Sequence, residues 1–212
     1  MDLLNRACIL VAISTALTTA AIGQELSGFA GMVNAGYIST RHFASSVENF
    51  RPDSVRFGNG YTIIGADGYY RNGRAILSVS GYLGLQGSQS YRDRLLERSL
   101  WMAHAGVGWI MWSDSKFTFY PSLTFGVTGL SLTEHRHNPV SHVDVIQTTV
   151  PSTDFSLHFD YLMKDTNLDD QLSNGIILGI QAGYNYGIST ATPFQGGYIT
   201  VSVGGLAFMK KK

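Results

Sequence analysis

Polar side chains able to bind protons or metals recur at every second position within stretches that are otherwise apolar or small. His158 and Asp160 are the clearest pair, and residues two apart share one face of a β-strand. The side chains placed in this way are Asp67, His104, His158, Asp160, Gln181 and Asn185. Groups removed from water must find partners among themselves. The pattern therefore predicts a buried polar network, and the alternatives are a narrow proton or solute path and a catalytic cluster.

A second group of candidate ligands lies in the long polar link between residues 133 and 152. Its members are His135, His137, His142 and Asp144, with Arg136 among them. Imidazole and carboxylate groups on a loop can bind zinc or copper. The spacing matches no closed site, however, and solvated loops commonly carry histidine. We therefore assign no metal, no cofactor and no catalytic residue from the sequence.

The elements that must position these side chains are clearest between Lys116 and Thr128. Odd-numbered residues there are mostly large and apolar, and even-numbered residues are mostly hydroxylated or glycine. Such alternation is typical of a strand with two unlike faces. The polar face has no charge after Lys116, whereas soluble strands usually show charged residues to water. An apolar row opposite a Gly/Ser/Thr row is what a transmembrane β-barrel requires.

Eight stretches of this kind follow one another, each long enough to cross a bilayer as a tilted strand. They run from Leu26 to Ile38, Val55 to Tyr70, Arg74 to Gln86, Arg98 to Trp112, Lys116 to Leu132, Thr153 to Met163, Gly175 to Ile188 and Gly197 to Met209. The apolar rows are predicted to face outward, and the inward rows include the acidic residues Asp67 and Asp160. The predicted fold class is therefore all-β, an eight-stranded antiparallel up-and-down transmembrane β-barrel.

The connections between these strands alternate in length. Arg71-Asn72-Gly73 and Ser113-Asp114-Ser115 are tight turns, and Asn-Gly favours a type I′ hairpin. The long links run from Ser39 to Ser54, Gly87 to Glu97 and Thr133 to Ser152, and the link from Lys164 to Asn174 is longer than expected for its position. Val143 to Val150 is itself strand-like, so that hairpin is expected to project. Short periplasmic turns and long outer loops are typical of bacterial barrels.

Aromatic residues near the predicted strand ends indicate two membrane-interface girdles, because Trp and Tyr favour the headgroup level. Those near the turns are Tyr69, Tyr70, Trp109, Trp112 and Phe117, and those near the loops are Tyr37, Trp101, Phe155 and Tyr198.

Composition and the N-terminus are consistent with export. Arg6 and the apolar residues 7–17 read as a signal peptide, so we predict a cleaved segment 1–23 and a barrel domain 24–212. Cys8, the single cysteine, lies in that signal and leaves the mature chain without thiol chemistry. The charged fraction is only 14%, and a net charge of zero argues against a nucleic-acid partner.

The cleaved signal, the eight alternating strands, Asn72-Gly73 and the long loops resemble the small outer-membrane β-barrels that include the OmpA transmembrane domain and OmpX. This resemblance implies a monomer in the outer membrane and a role in adhesion, surface interaction or envelope integrity. It also implies contact with outer-membrane lipid, lipopolysaccharide, periplasmic chaperones and the barrel assembly machinery. Phe208 followed by Met209 and three lysines departs from the usual terminal aromatic residue.

Three further functions remain open. Outer-membrane lipid A deacylases use a His-x-Ser pair. His158-Phe159-Asp160 has the same spacing, but Asp160 stands where the nucleophilic serine should be. His104-Ala105-Gly106 also lacks the serine. Eight strands enclose an interior that side chains fill, which disfavours a general pore but leaves a narrow one. A secreted lipocalin-like barrel would need a charged exterior.

Arg92, Arg94 and Arg98 could contact lipopolysaccharide.

Overall fold

The computed structural model describes residues 26–40, 60–86, 89–91, 94–137, 140–169, 172–188 and 194–210. These residues form ten β-strands: β1 Leu26–Thr40, β2 Gly60–Asn72, β3 Ala75–Leu85, β4 Gln89–Tyr91, β5 Arg94–Trp109, β6 Trp112–Ser113, β7 Phe117–His137, β8 Val140–Asp169, β9 Leu172–Gly187 and β10 Gln195–Lys210. Within the described ranges, no α-helix has the length and apolarity needed to cross a bilayer. The predicted signal peptide lies outside them.

Eight of the strands close into a barrel, as predicted. Each pairs antiparallel with its neighbours in the order β5, β3, β2, β1, β10, β9, β8, β7, and a further pairing of β5 with β7 completes the ring. Strands β4 and β6 are short additions that pair only with β5 and β7 respectively. Closure leaves the barrel wall without unpaired edges. An open sheet in a membrane would expose unpaired backbone groups at its edges, and the bilayer core does not tolerate them.

The strand register fixes the tilt of the barrel. A circuit along paired residues leaves β1 at Phe29 and passes through every barrel strand. It returns to β1 at Ser39, ten residues further along (39 − 29 = 10). With standard strand spacing, this stagger corresponds to a tilt of about 41° and a backbone radius of about 8 Å. An interior of that width is filled by side chains.

The two faces of the wall are distributed as the sequence predicted. Bulky hydrocarbon side chains point outward, for example Val79 at 58% exposure and Phe125 at 59%. Their even-numbered neighbours in β7, including Ser122, Thr124 and Thr128, are buried inside. The outward row also holds most of the predicted girdle, and Phe117 packs against the rings of Trp112 and Tyr161. Tyr69 and Tyr198 were placed wrongly in the girdles, because both are on inward rows and are buried.

The first tight turn is shifted by one residue from the prediction. Asn72 pairs with Ala75, so the two loop residues are Gly73 and Arg74. Gly73 has φ of 61°, a conformation that costs glycine little. Glycine at the first loop position is the arrangement favoured by a type II′ turn rather than the predicted type I′. The second turn forms as predicted, with the Asp114 carboxylate accepting the Lys116 and Phe117 amides at 2.7 and 2.8 Å.

Two hairpins are longer than the sequence predicted. Strand β8 spans 30 residues instead of eleven, because it continues at both ends through stretches interpreted as links. At the lower end, β8 and β9 pair as far as Asp169 and Leu172, so the link from Lys164 to Asn174 is mostly strand. At the upper end, β7 and β8 pair as far as His137 and Val140, so the predicted projecting hairpin is present. Strands β4 and β5 join this upper sheet, within the predicted loop Gly87–Glu97.

The barrel interior is layered. An upper apolar cluster comprises Ile38, Tyr61, Ile63, Tyr82, Leu100, Met102, Leu130, Leu132, Val150, Phe194 and Tyr198. A lower one, toward the tight turns, comprises Ala30, Met32, Tyr69, Ile76, Ile110, Tyr120, Ile177 and Leu206, with Leu162 packed against it. Buried polar residues lie between the two clusters. The sequence predicted a packed polar interior, but the interior is polar only in part. Most of its buried polar side chains lie in a central layer, and Ser27, Thr40 and Arg98 are buried toward the barrel ends.

Candidate functional site

The central layer is built by the inward positions of seven strands. Small and hydroxylated residues dominate these positions because the narrow interior has no room for a large side chain on every strand. The buried polar members are Asn34, His104, Ser122, Thr124, Thr128, Ser152, Asp154, Ser156, His158, Asp160, Gln181, Asn185 and Thr200, with Asp67 half-buried beside them. All six side chains singled out from the sequence thus lie in one layer.

Three carboxyl groups in this layer each accept a hydrogen bond from a tyrosine hydroxyl. Tyr82 donates to Asp67 at 2.7 Å, and Tyr69 donates to Asp160 at 3.3 Å. Tyr198 donates to Asp154 at 2.9 Å. The sequence reasoning omitted Asp154, although it lies on the same alternating row as Asp160. The hydrogen-bond donors to these buried carboxyl groups are thus tyrosine hydroxyls, whereas many proteins use a basic side chain.

Gln181 joins two of these pairs across the barrel. Its Oε1 lies 3.0 Å from the Tyr82 hydroxyl oxygen and shares the single hydroxyl proton with Asp67, and its Nε2 donates to the Tyr198 hydroxyl at 2.8 Å. Asp67 and Asp154, on strands β2 and β8, therefore belong to one hydrogen-bonded network. A network whose members are satisfied in this way rigidifies the core that contains it.

Gly183 makes room for the ring of Tyr198. A Cβ atom on Gly183 would lie 2.5 Å from Cζ and 2.6 Å from the hydroxyl oxygen of Tyr198. Such a contact is well inside van der Waals distance, so any side chain there would displace the ring. The glycine therefore permits the hydrogen bond between Tyr198 and Asp154.

His158 forms a separate cluster with two serines. Its Nε2 lies 3.0 Å from the hydroxyl oxygens of both Ser122 and Ser156, which are themselves 2.8 Å apart. The imidazole also stacks on the Tyr120 ring at 4.4 Å between centroids. Serine and histidine within hydrogen-bond reach are the elements of a nucleophile and its base. All three side chains are buried inside the barrel, however.

His104 anchors another cluster, higher in the same layer. Its Nε2 lies 2.8 Å from the Ser152 hydroxyl and 3.1 Å from Nδ2 of Asn185. The Thr128 hydroxyl lies 2.9 Å from that of Ser152. The six polar residues predicted from sequence are therefore divided among several clusters instead of forming one site.

An internal cavity of about 20 Å³ opens between these clusters. A water molecule needs roughly 10–15 Å³, so the cavity has room for a small ligand. Its lining includes Asp67, Asp154, Thr124, Ser78 and Gln181. The hydroxyl oxygens of Thr124 and Ser78 are buried and have no hydrogen-bond partner within the protein.

Among the loop candidates, only His135 has a side chain that the structure describes; the side chains of His137, His142 and Asp144 lie outside the described part. Nε2 of His135 lies 3.0 Å from the Glu97 carboxylate, in the upper sheet. Arg98, considered as a possible lipopolysaccharide contact, is instead buried beside the upper apolar cluster, with its guanidinium 5.4 Å from the centre of the Tyr61 ring. Arg92 lies outside the described residues. Across the residues that the structure describes, no three His, Cys, Asp or Glu side chains are grouped to hold a metal ion.

The sequence matches no protein-family model and no curated protein. Among solved structures, the fold is similar to that of Ail, the attachment invasion locus protein of Yersinia pestis. The TM-score is 0.50 at 11% identity, over 87% of this chain and 99% of Ail. A structure of Ail with the heparin analogue sucrose octasulfate gives 0.52 at 11% identity, with the same coverage of both chains. Neisserial surface protein A gives 0.52 at 13% identity, over 88% of this chain and 99% of that one. The chain therefore has the fold of the small outer-membrane β-barrels.

Proposed function

We propose that the protein is an integral outer-membrane β-barrel that acts without catalysis, through the part of its sheet that rises above the apolar band. The observation that carries this proposal is the distribution of side chains on a closed wall. Bulky hydrocarbon groups face outward, and the interior is filled at both ends and in the middle. Large molecules can therefore contact the protein only at the surface above the membrane.

The outer surface supports the membrane location. Strand β3, the shortest barrel strand, has 11 residues, and its outward row from Ala75 to Leu85 carries no charge. At a tilt of about 41°, each residue advances about 2.5 Å along the barrel axis. The strand therefore spans about 27 Å, which matches the apolar band of roughly 25 Å in outer-membrane barrels. A secreted lipocalin-like barrel would need the opposite arrangement of the two faces.

The filled interior supports a role other than transport. The upper cluster closes the barrel with large side chains such as Tyr61 and Phe194, both with no exposed surface. The lower cluster closes the other end with Tyr120 and Ile177 among others. A solute would have to displace both layers, which are packed in the manner of a protein core. This argues against the narrow-pore alternative.

The position of the histidine and serine cluster supports a non-catalytic role. Ser122, Ser156 and His158 are each less than 9% exposed and point into the barrel. Membrane lipids contact the outer wall, where the corresponding positions are Leu123, Leu157 and Phe159. A lipid ester therefore has no route to the serine hydroxyls, and the deacylase resemblance of His158-Phe159-Asp160 finds no accessible nucleophile.

The upper sheet of β4, β5, β7 and β8 is the surface we propose for interaction. It continues the barrel wall beyond the residues where β8 ceases to pair with β9, at Ser152. The register places Arg94 directly opposite Arg136 on neighbouring strands of this sheet. The similar fold of Ail was solved with a sulfated heparin analogue. Since arginine binds sulfate and phosphate groups well, a sulfated glycan is a suitable first probe.

A shortened β7–β8 hairpin tests this proposal. Thr133 and Asp144 pair across the hairpin, so replacing residues 134–143 with Asn-Gly shortens β7 and β8 above this pair and keeps the strand pairing below it. We expect cells displaying the full chain to bind immobilised heparin and cells displaying the shortened chain to lose that binding. Outer-membrane fractionation and heat-modifiable gel migration serve as folding controls. Equal binding by both chains would contradict the role of the hairpin, and recovery in the soluble fraction would contradict the membrane location.

A further inference from the structure

We propose that the cavity in the central layer is a binding site for a single calcium ion, held between the carboxyl groups of Asp67 and Asp154 and the hydroxyl of Thr124. The cavity is lined by residues of β1, β2, β3, β7, β8 and β9, so the ion would tie together opposite walls of the barrel. This site is separate from the upper sheet, and it is independent of the proposed surface role.

The donor atoms of the lining are mostly hard oxygens. Carboxylates come from Asp67 and Asp154, hydroxyls from Thr124 and Ser78, and an amide oxygen from Gln181. Calcium takes six to eight oxygen ligands of this kind in flexible geometry. Zinc and copper prefer nitrogen and sulfur, and the lining imidazole of His158 already has Ser122 and Ser156 at 3.0 Å from Nε2.

Thr124 provides an unpaired hydroxyl oxygen at the cavity. Its side chain is only 6% exposed, lines the cavity and has a hydroxyl oxygen without any hydrogen-bond partner in the protein. The Ser78 hydroxyl, in the same lining, is also unpartnered. Buried hydroxyls left without partners cost free energy, so native proteins rarely retain them unless water or an ion completes the site.

The charge of the lining favours a cation with two positive charges. Two carboxylates face the cavity, and its lining contains no lysine or arginine. The nearest candidates along the inward rows are distant in height: Arg71 at the tight-turn end, where its Nε donates to the Gly73 carbonyl, and Arg98 in the upper cluster. One divalent ion would balance the two lining carboxylates, and buried carboxylates require such compensation.

The size of the cavity selects among divalent ions. Magnesium loses its water shell reluctantly and usually keeps several water molecules. A hydrated magnesium ion does not fit in a cavity of about 20 Å³, which has room for roughly one water molecule. Calcium exchanges its water for protein oxygens more readily and therefore fits the site better.

The apolar clusters above and below the cavity should make the release of a bound ion slow. Packed apolar layers lie above and below an ion at this depth and would slow its release toward either end of the barrel. We therefore expect calcium to resist chelation while the barrel is folded and to be released when it unfolds. Calcium held on loops or on bound lipopolysaccharide would be removed by the chelator at once.

The experiment uses the full chain, extracted folded from outer membranes in detergent, treated with EGTA and gel-filtered. We expect mass spectrometry of the metal content to find about one calcium ion per chain, because the proposed site holds one ion. Asp67→Asn and Asp154→Asn should reduce the content to background, and Thr124→Val should lower it. Asp160→Asn is the matched control, because Asp160 is as buried as Asp154 in the same layer but does not line the cavity.

Three results would overturn the proposal. They are a folded unsubstituted barrel without calcium, complete removal of calcium by EGTA before unfolding, and equal loss from the Asp160→Asn control. Heat-modifiable migration identifies the folded variants. The first two results need no variant, so the proposal can be tested even if Asp67→Asn does not fold.

Discussion

Replacing Gly183 with alanine tests the packing of the central layer. The added methyl group would lie 2.5 to 2.7 Å from three atoms of the Tyr198 ring. That ring cannot withdraw freely, because its hydroxyl is held by Gln181 at 2.8 Å and by Asp154 at 2.9 Å. The substitution must therefore either strain the wall or break the hydrogen bond to Asp154.

The expected cost follows from these two outcomes. Overpacking a close-packed interior costs about 1–3 kcal/mol. Leaving a buried polar group without its partner costs about 1–3 kcal/mol. The Tyr198 ring can relieve the overpacking only by moving away from Asp154, which weakens that hydrogen bond. We therefore expect Gly183→Ala to lower the free energy of unfolding by about 2–4 kcal/mol.

Gly31→Ala is the matched control. Gly31 is an outward glycine in β1, and a Cβ atom there would meet no atom within 4 Å. Removing backbone freedom at such a site should stabilise the barrel by no more than about 1 kcal/mol. Urea unfolding in detergent micelles, followed by fluorescence of the three tryptophans, measures both variants. A Gly183→Ala barrel as stable as the Gly31→Ala barrel would refute the packing described for Tyr198.

Three further substitutions test other parts of the structure. Val79→Arg, at an outward position of β3 that is 58% exposed, should destabilise the barrel by about 2–4 kcal/mol when urea unfolding is followed in lipid bilayers instead of micelles. The hydrogen bonds from the Lys116 and Phe117 amides lower the pKa of Asp114 below its ordinary 3.8. Stabilisation of the turn should therefore be complete above pH 3.8 and disappear as the pH falls through the lower pKa of the folded state. Amide chemical shifts would report this pH dependence, and Asp114→Asn should abolish it. His158→Ala should lower the free energy of unfolding by about 1–3 kcal/mol and leave the acylation of lipid A unchanged in a lipid profile, whereas a changed profile would favour the enzyme alternative.

The wall of the barrel was largely predictable because its signal is local. Alternation of apolar and small residues needs only neighbouring positions to be read, and all eight predicted strands are present. Errors occurred where the alternation is obscured. The upper part of β8, between Val140 and Ser152, carries histidine and aspartate and was read as a loop apart from Val143–Val150, yet it pairs with β7. Its polar composition reflects its position above the apolar band.

The organisation of the interior was not predictable to the same degree. The sequence shows that Asp67 and Gln181 point inward, but it cannot show that both meet Tyr82, because that contact depends on the stagger of the whole barrel. Tyr69 and Tyr198 were assigned to the girdles from their position near strand ends. Their place on the inward rows, two residues from Asp67 and Thr200, would have corrected the assignment.

The central claim is that the odd-numbered row of β7 faces lipid while the even-numbered row fills a closed barrel. Single cysteines at positions 122 to 128, introduced after replacing Cys8, can carry a nitroxide spin label for measurement of collisions with oxygen dissolved in the bilayer. We predict high collision rates at positions 123, 125 and 127 and low rates at 122, 124 and 128. Uniform rates along the strand, or the opposite alternation, would contradict the account.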